Sequence, residues 1–142
     1  MNILIVHAHP EPLSFTTSLK TTAQQTFKKL GHQVEISDLY AMQFNPVASK
    51  EDFLELNQPD YFNYALEQRN ATKQQLLSPD IQVEIDKVKR ADLVILNFPL
   101  YWTSVPAILK GWIDRVFVSG LFYGVSGFTT MVAWQVKKQC SV

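Results

Sequence analysis

The sequence carries a single cysteine, Cys140, among 142 residues, so no internal disulfide can form and a reducing cytoplasm is the expected compartment. The Asn70-Ala71-Thr72 sequon is then expected to be coincidental. Charge of one sign is also missing: 13 basic and 13 acidic residues are spread along the chain and cancel, which argues against nucleic acid or an anionic membrane surface as a partner. The longest nearly uncharged apolar stretch, Leu93 to Trp102, is about half of the ~20 residues a membrane span requires, so membrane insertion is not expected. "MNILIVHAHP" has no basic n-region and no small-residue cleavage site, and reads as a first strand rather than a signal peptide. The glycines of G-x-G-x-x-G are absent, which excludes the Rossmann turn as a phosphate-binding device. With 46% hydrophobic and 18% charged residues, what remains is a globular chain of one domain's length.

Three apolar runs stand out. "NILIV" (2–6), "QVEIS" (33–37) and "ADLVILNF" (91–98) predict strands, the first and third apolar on both faces. Between the first two, Phe15, Leu19, Ala23, Phe27 and Leu30 recur at helical spacing and predict one apolar stripe, with Ser14 as N-cap and Gly31 closing the helix. Residues 39–60 read as loop, and 60–77 as a weakly patterned helix. Ser78-Pro79-Asp80 predicts a helix start, with a capping hydroxyl, proline at N1 and a carboxylate favoured by the helix dipole. Ser104 and Pro106 open a last helix, with Ile108, Leu109, Trp112, Ile113 and Phe117 on its apolar side and Lys110, Asp114 and Arg115 on the other. This strand–helix alternation predicts an α/β fold with a parallel sheet and a ligand beyond the carboxyl ends of the strands.

Two loops fall at those ends. The first, "HAHPEPL", runs into a helix whose opening turn carries Ser14, Thr16, Thr17 and Ser18. Free N–H groups at a helix N-terminus with hydroxyls around them suit a phosphate; equally, Ser14 caps and the threonines are solvated. His7 and His9 lie two apart, but metal ligation needs a further ligand, and His32 belongs at the far end of the helix, so no metal is expected. A histidine donating to phosphate or capping the loop fits better. The second loop supplies Pro99, Leu100, Tyr101, Trp102 and Thr103. A rigid aromatic loop with outward amides suits a planar heteroaromatic ring, which needs one hydrophobic wall and a few N–H donors at its polar edge; simple packing is the other reading.

The segments "ILIVHAHPEPLSFTTSLK", "VEISDLYAMQFNP" and "ADLVILNFPLYWTSVPAILKGWIDRVF" resemble the NAD(P)H:quinone oxidoreductases of the flavodoxin-like fold, over residues 1 to 124. The resemblance implies a two-electron, ping-pong flavoenzyme that takes hydride from NAD(P)H through FAD, in preference to FMN, to a quinone. It implies a doubly wound parallel sheet and a homodimer. Carried over by position, His9, Ser14, Phe15, Thr16 and Ser18 would hold the FAD pyrophosphate region, and Asn63 would make a further flavin contact. Pro99, Leu100, Tyr101, Trp102 and Thr103 would line the isoalloxazine, with Trp102 and Thr103 also in the substrate pocket. No catalytic residue is carried over: the Tyr and His that assist hydride transfer in the family follow a Thr-Thr-Gly-Gly loop, and this chain contains neither loop nor pair. Relatives also include ancillary subunits of potassium-efflux systems, so a regulatory flavoprotein is the alternative, and a non-functional truncated fragment a third.

After "GLFYG" the likeness stops, and "VSGFTTMVAWQVKKQCSV" follows. Joining the third base of each codon to the first two of the next, Met131-Val132 must give Gly and Trp134-Gln135 must give Ala. Phe128-Thr129 can give Tyr, Thr129-Thr130 Asp, Ala133-Trp134 Leu and Gln135-Val136 Gly. The shifted frame thus permits F-Y-D-x-G-x-L-A-G-K-K-A-M-L-S, the family's own continuation. The expectation is one incomplete flavodoxin-like domain over 1–142, with 125–142 an out-of-frame tail and the last two strands of the 2-1-3-4-5 order missing.

Overall fold

Strands β1 (Asn2–His7), β2 (Gln33–Asp38) and β3 (Leu93–Asn97) lie side by side in the order β2-β1-β3 in a computed structural model that describes residues 1–123. The expected out-of-frame tail lies outside the described residues. Both pairings are parallel, with Ile5 opposite Ile36 on one side and Ile95 on the other. Parallel neighbours need crossovers, and these are helical: α1 (Phe15–Lys29) joins β1 to β2, while α2 (Tyr64–Gln74) and α3 (Pro79–Arg90) precede β3, and α4 (Ala107–Val116) follows it.

The central strand is buried from Ile3 to Val6 at 1% exposure or less, as its unbroken apolar run requires. Alternation sends Leu4 and Val6 toward α3 and α4, where they join Ile81, Ile85, Leu109 and Trp112 in the main core. Ile3, Ile5 and His7 point to the α1 side. Each fully buried aliphatic side chain contributes about 1.5–3 kcal/mol, so this strand is the organising element. Glu84 ties the α3–α4 layer to the sheet: its carboxylate is fully buried and accepts hydrogen bonds from Ser37 Oγ at 2.7 Å and Trp112 Nε1 at 2.8 Å, with Lys87 Nζ at 2.6 Å. Trp112 is core, as its place in the pattern indicates.

Several elements differ from the sequence pattern. The weakly patterned helix begins at its Asn63 cap and ends at Gln75, whose φ of 60° is left-handed. Ser78 makes no capping bond; its hydroxyl donates to Asp80 at 2.6 Å, and Pro79 alone sets the start. Ser104 belongs to a turn, and α4 starts after Pro106. Arg115, expected on the solvated side of α4, is 3% exposed. It binds Asp52 through Nε at 3.1 Å and Nη2 at 2.8 Å, reaches Asp80 at 2.9 Å, donates to Asn45 O at 2.7 Å, and stacks over Phe44. The long 39–60 connection folds over that end of the helix and turns a surface position into an interior one.

The same connection explains Gly111. A Cβ there would stand 2.1 Å from Pro46 O and 2.4 Å from its Cα, and backbone cannot yield as a side-chain tip would. Gly111→Ala is therefore expected to cost about 1–3 kcal/mol, read as a lower urea midpoint with an unchanged slope.

Helix α1 contains no buried residue. Its half-buried edge is Thr16, Thr17, Lys20, Ala23, Gln24 and Phe27, while Phe15, Leu19 and Leu30, members of the expected stripe, are exposed. The helix is rotated because the carboxyl end of the sheet beneath its first turns is polar.

Candidate functional site

Each strand ends on a polar residue, and register places the three in one row: His7 is opposite Asp38 of β2 and Asn97 of β3. All three face α1. Lys20 of α1 reaches Asp38 at 2.8 Å, and Thr17 Oγ1 lies 3.2 Å from His7 Nε2. Asn97 Nδ2 donates to Thr16 O at 2.9 Å and lies 2.9 Å from His7 Nδ1. Burial of Asp38 would raise its pKa, but the bonded Lys20 ammonium outweighs it and holds the carboxyl below the usual range.

His7 is 1% exposed. Burial first, and the Lys20 ammonium second, hold its imidazole below the ordinary value of 6.5, against a smaller opposing pull from Asp38. Below pH 6.5 the unfolded chain takes up a proton that the folded chain refuses, so stability is full above that value and is lost as pH falls toward the folded pKa. Urea midpoints are expected to fall across this window, and His7→Gln is expected to remove that part of the slope.

The loop between β1 and α1 is closed by short local bonds. His9 Nδ1 accepts from Glu11 N at 3.0 Å, and Glu11 Oε1 accepts from Leu13 N at 2.8 Å. Ser14 is the N-cap: its Oγ accepts from Thr17 N at 3.1 Å and donates to Thr17 Oγ1 at 2.9 Å. Among the described residues, the N–H groups of Phe15 and Thr16 and the Thr16 hydroxyl make no hydrogen bond. Ser18 turns its hydroxyl back onto Ser14 O at 3.1 Å. The donor set open at the start of α1 is therefore two amides and a hydroxyl, with no acidic residue in the helix's first turn, which suits an anion.

The loop after β3 is more sharply built. Tyr101 and Ser104 exchange both backbone hydrogen bonds at 3.0 Å, enclosing Trp102 and Thr103 in a two-residue turn. Both enclosed residues have positive φ, 48° and 63°. That sign pattern belongs to a type I′ turn, whose usual occupants are Asn and Gly. A tryptophan and a β-branched threonine in left-handed conformation cost about 1–3 kcal/mol each, and such strain clusters where a ligand is held. Thr103 Oγ1 donates to Trp102 O at 2.6 Å, and no hydrogen bond of Trp102 N or Thr103 N exists among the described residues. Trp102 is 99% exposed, with Leu100 and Tyr101 also exposed beside it.

Of the residues singled out in the sequence, His9, Ser14, Phe15, Thr16 and Ser18 sit on the first loop and helix start, and Pro99 to Thr103 on the second. Both loops leave the carboxyl ends of adjacent strands. Asn63 stands apart: it caps α2, accepting from Leu66 N at 3.2 Å, and no hydrogen bond among the described residues joins it to either loop. His7, Asn97 and the sheet-facing role of Thr17 went unassigned. The available signal was a polar residue ending each otherwise apolar run. Among the described residues no three His, Cys, Asp or Glu side chains cluster as metal ligands would, and no helix is long and apolar enough to cross a membrane.

The family described by the flavodoxin-like fold matches residues 1–140. Ribosyldihydronicotinamide dehydrogenase (quinone) of Pongo abelii is 51% identical over 127 residues, 89% of this chain and 55% of the relative. NAD(P)H dehydrogenase (quinone) 1 of Cavia porcellus is 44% identical over 136 residues, 95% of this chain and 50% of the relative. A solved structure assigned as a quinone reductase from Klebsiella pneumoniae superposes with a TM-score of 0.86 at 41% identity, covering 89% of this chain and 49% of that one. The chain thus spans about half the length of the curated relatives it matches. With a parallel β2-β1-β3 sheet, helices on both faces and a match along nearly its whole length, the chain belongs to the flavodoxin-like fold family, where it is similar to dehydrogenases named for quinones.

Proposed function

We propose that this chain is the flavin-binding portion of a reduced-nicotinamide:quinone oxidoreductase. When bound, FAD would accept hydride from the nicotinamide donor and pass it to a quinone in alternate half-reactions. The observation that carries the reading is the strained, outward-facing turn at Trp102 and Thr103, set at the end of the strand next to the one that leads into an open helix N-terminus.

The division of work follows from the donor sets. Phe15 N, Thr16 N and the Thr16 hydroxyl would bind the pyrophosphate, with Ser14 holding the helix start in shape and His9 and Ser18 shaping its rim. Pro99, Leu100 and Tyr101 would wall the isoalloxazine, and the amides of Trp102 and Thr103 would meet its polar edge. The Trp102 ring, standing clear of the fold, would also stack on the substrate, with Thr103 beside it. Asn63 would add a flavin contact. The resemblance favours FAD over FMN. A homodimer in the cytoplasm completes the proposal; exposed Leu13, Phe15, Leu19 and Leu30 offer apolar surface to a second copy, and the lone cysteine fits a reducing compartment. The names of the relatives leave two donor classes to compare, NAD(P)H and ribosyldihydronicotinamide.

The test is to purify the 142-residue chain, supply FAD or FMN, remove the excess, and follow quinone reduction with NADH, NADPH and ribosyldihydronicotinamide. Retained FAD with parallel double-reciprocal lines for one donor supports the proposal. A chain that retains neither flavin contradicts it.

A further inference from the structure

We infer that His7 and Asn97 form a positioning pair that locks the start of α1 and the 99–104 loop into one fixed relation, so that a ligand spanning both is bound as a unit. This inference rests on the flavin reading above.

Asn97 is the last residue of β3, one peptide before Phe98 and the aromatic loop. Its backbone O accepts from Ala8 N at 3.0 Å, at the opening of the first loop. One hydrogen of its amide goes to Thr16 O, so Nδ2 is the atom on that side, and the second hydrogen points at His7 Nδ1. His7 Nδ1 must then accept, which puts the imidazole proton on Nε2, facing Thr17 Oγ1 at 3.2 Å. Thr17 Oγ1 in turn donates to Glu11 O at 3.0 Å and receives the Ser14 hydroxyl. Every donor in the chain Asn97, His7, Thr17, Glu11 has one acceptor. The chain crosses from β3 through β1 to α1 and the first loop.

An aliphatic residue at position 7 would leave the Asn97 amide short of an acceptor and Thr17 short of a donor inside the fold. A second proton on His7 would sit on Nδ1, directly against the Asn97 amide hydrogens. The charged groups facing the ring are Lys20 from α1 and His9 from the loop, which oppose that proton, and Asp38 from β2, which favours it but is bound to Lys20; from β3 the Asn97 backbone also favours it, and burial with Lys20 outweighs both.

The experiment uses the full chain. Histidine ¹⁵N spectra without ligand read the tautomer, and FAD fluorescence titrations between about pH 5 and 8 read affinity. Expected are an Nε2–H tautomer for His7 at neutral pH and FAD affinity that declines as pH falls. His7→Leu is expected to weaken FAD about tenfold or more, and His7→Gln, an acceptor and donor that does not titrate, to rescue most of the loss with a flat pH profile. If His7→Leu does not fold, Thr17→Val cuts the same chain isosterically and is expected to weaken FAD in the same direction. An Nδ1–H tautomer overturns the inference, as does a folded His7→Leu or Thr17→Val that binds FAD like the unsubstituted chain. An unsubstituted chain that binds no FAD overturns the flavin reading and this inference with it. The unsubstituted titration alone tells that case from failure of the pair.

Discussion

Arg115→Met is expected to lower the unfolding free energy by about 3–5 kcal/mol. The guanidinium is the only cation paired with the Asp52 carboxylate among the described residues, and Asp52 is 1% exposed. Removing it leaves a buried charge with two remaining partners, the Tyr64 hydroxyl and Ser49 N at 3.3 Å. Tyr64 cannot take over the charge balance: burial, then the Asp52 carboxylate, push its pKa far above the usual phenol range, so it stays a neutral donor. The bonds to Asn45 O and Asp80 vanish as well, and with them the anchor of the 39–60 connection over α4. Adding Asp52→Asn to Arg115→Met should recover part of the loss, because the orphaned charge goes while the lost bonds do not. Urea denaturation of the two single variants and the double variant measures this coupling. A cost under about 1 kcal/mol for Arg115→Met would mean that its ion pair contributes no more than a solvent-exposed one.

The second large effect is expected at the two-residue turn, where backbone and ring can be separated. Trp102→Pro removes an N–H and forces φ near −65°, against the 48° found there, so the turn cannot form. Flavin affinity is expected to fall at least about a hundredfold, because the loss takes both amides and the ring together. The pair Trp102→Asn with Thr103→Gly does the opposite to the backbone. It supplies the residues a type I′ turn prefers, keeps both amides, and is expected to raise stability by about 1 kcal/mol while deleting the ring. In that double variant flavin binding should weaken only about tenfold, and the larger loss should appear in the Michaelis constant for the quinone. Titration with FAD and steady-state kinetics on the two variants separate the contributions. Equal losses in both would assign the loop's whole effect to the tryptophan ring.

How much of this was legible in the sequence depends on what each residue's surroundings demand. Strand β1 was legible because four consecutive apolar side chains have only one cheap solution, burial on both faces. Gly31 was legible because a left-handed residue after a helix favours glycine, and its φ is 81°. Phe15, Leu19 and Leu30 misled, since helical spacing shows that a stripe exists and not which edge the sheet will take; the polar row of His7, Asp38 and Asn97 decided it. Arg115 misled for a related reason: three residues after Trp112 it lies at the edge of the buried face, where its charge suggests solvent, but a chain segment distant in sequence covers it. The aromatic loop was visible as composition, whereas its turn type was not, because Trp and Thr are the wrong residues for a type I′ turn and only the folded backbone shows that they are held in one. His7 hid behind His9, the residue that the family resemblance pointed to.

On the proposal above, the carboxyl ends of β1 and β3 hold a flavin through the start of α1 and the 99–104 turn. The most direct measurement is a ¹⁵N–¹H spectrum of the chain titrated with FAD. The largest shifts are expected at the amides of Phe15, Thr16, Trp102 and Thr103, saturating together at one flavin per chain. Saturable binding that leaves these four amides unmoved, or no binding at all, would contradict the proposal.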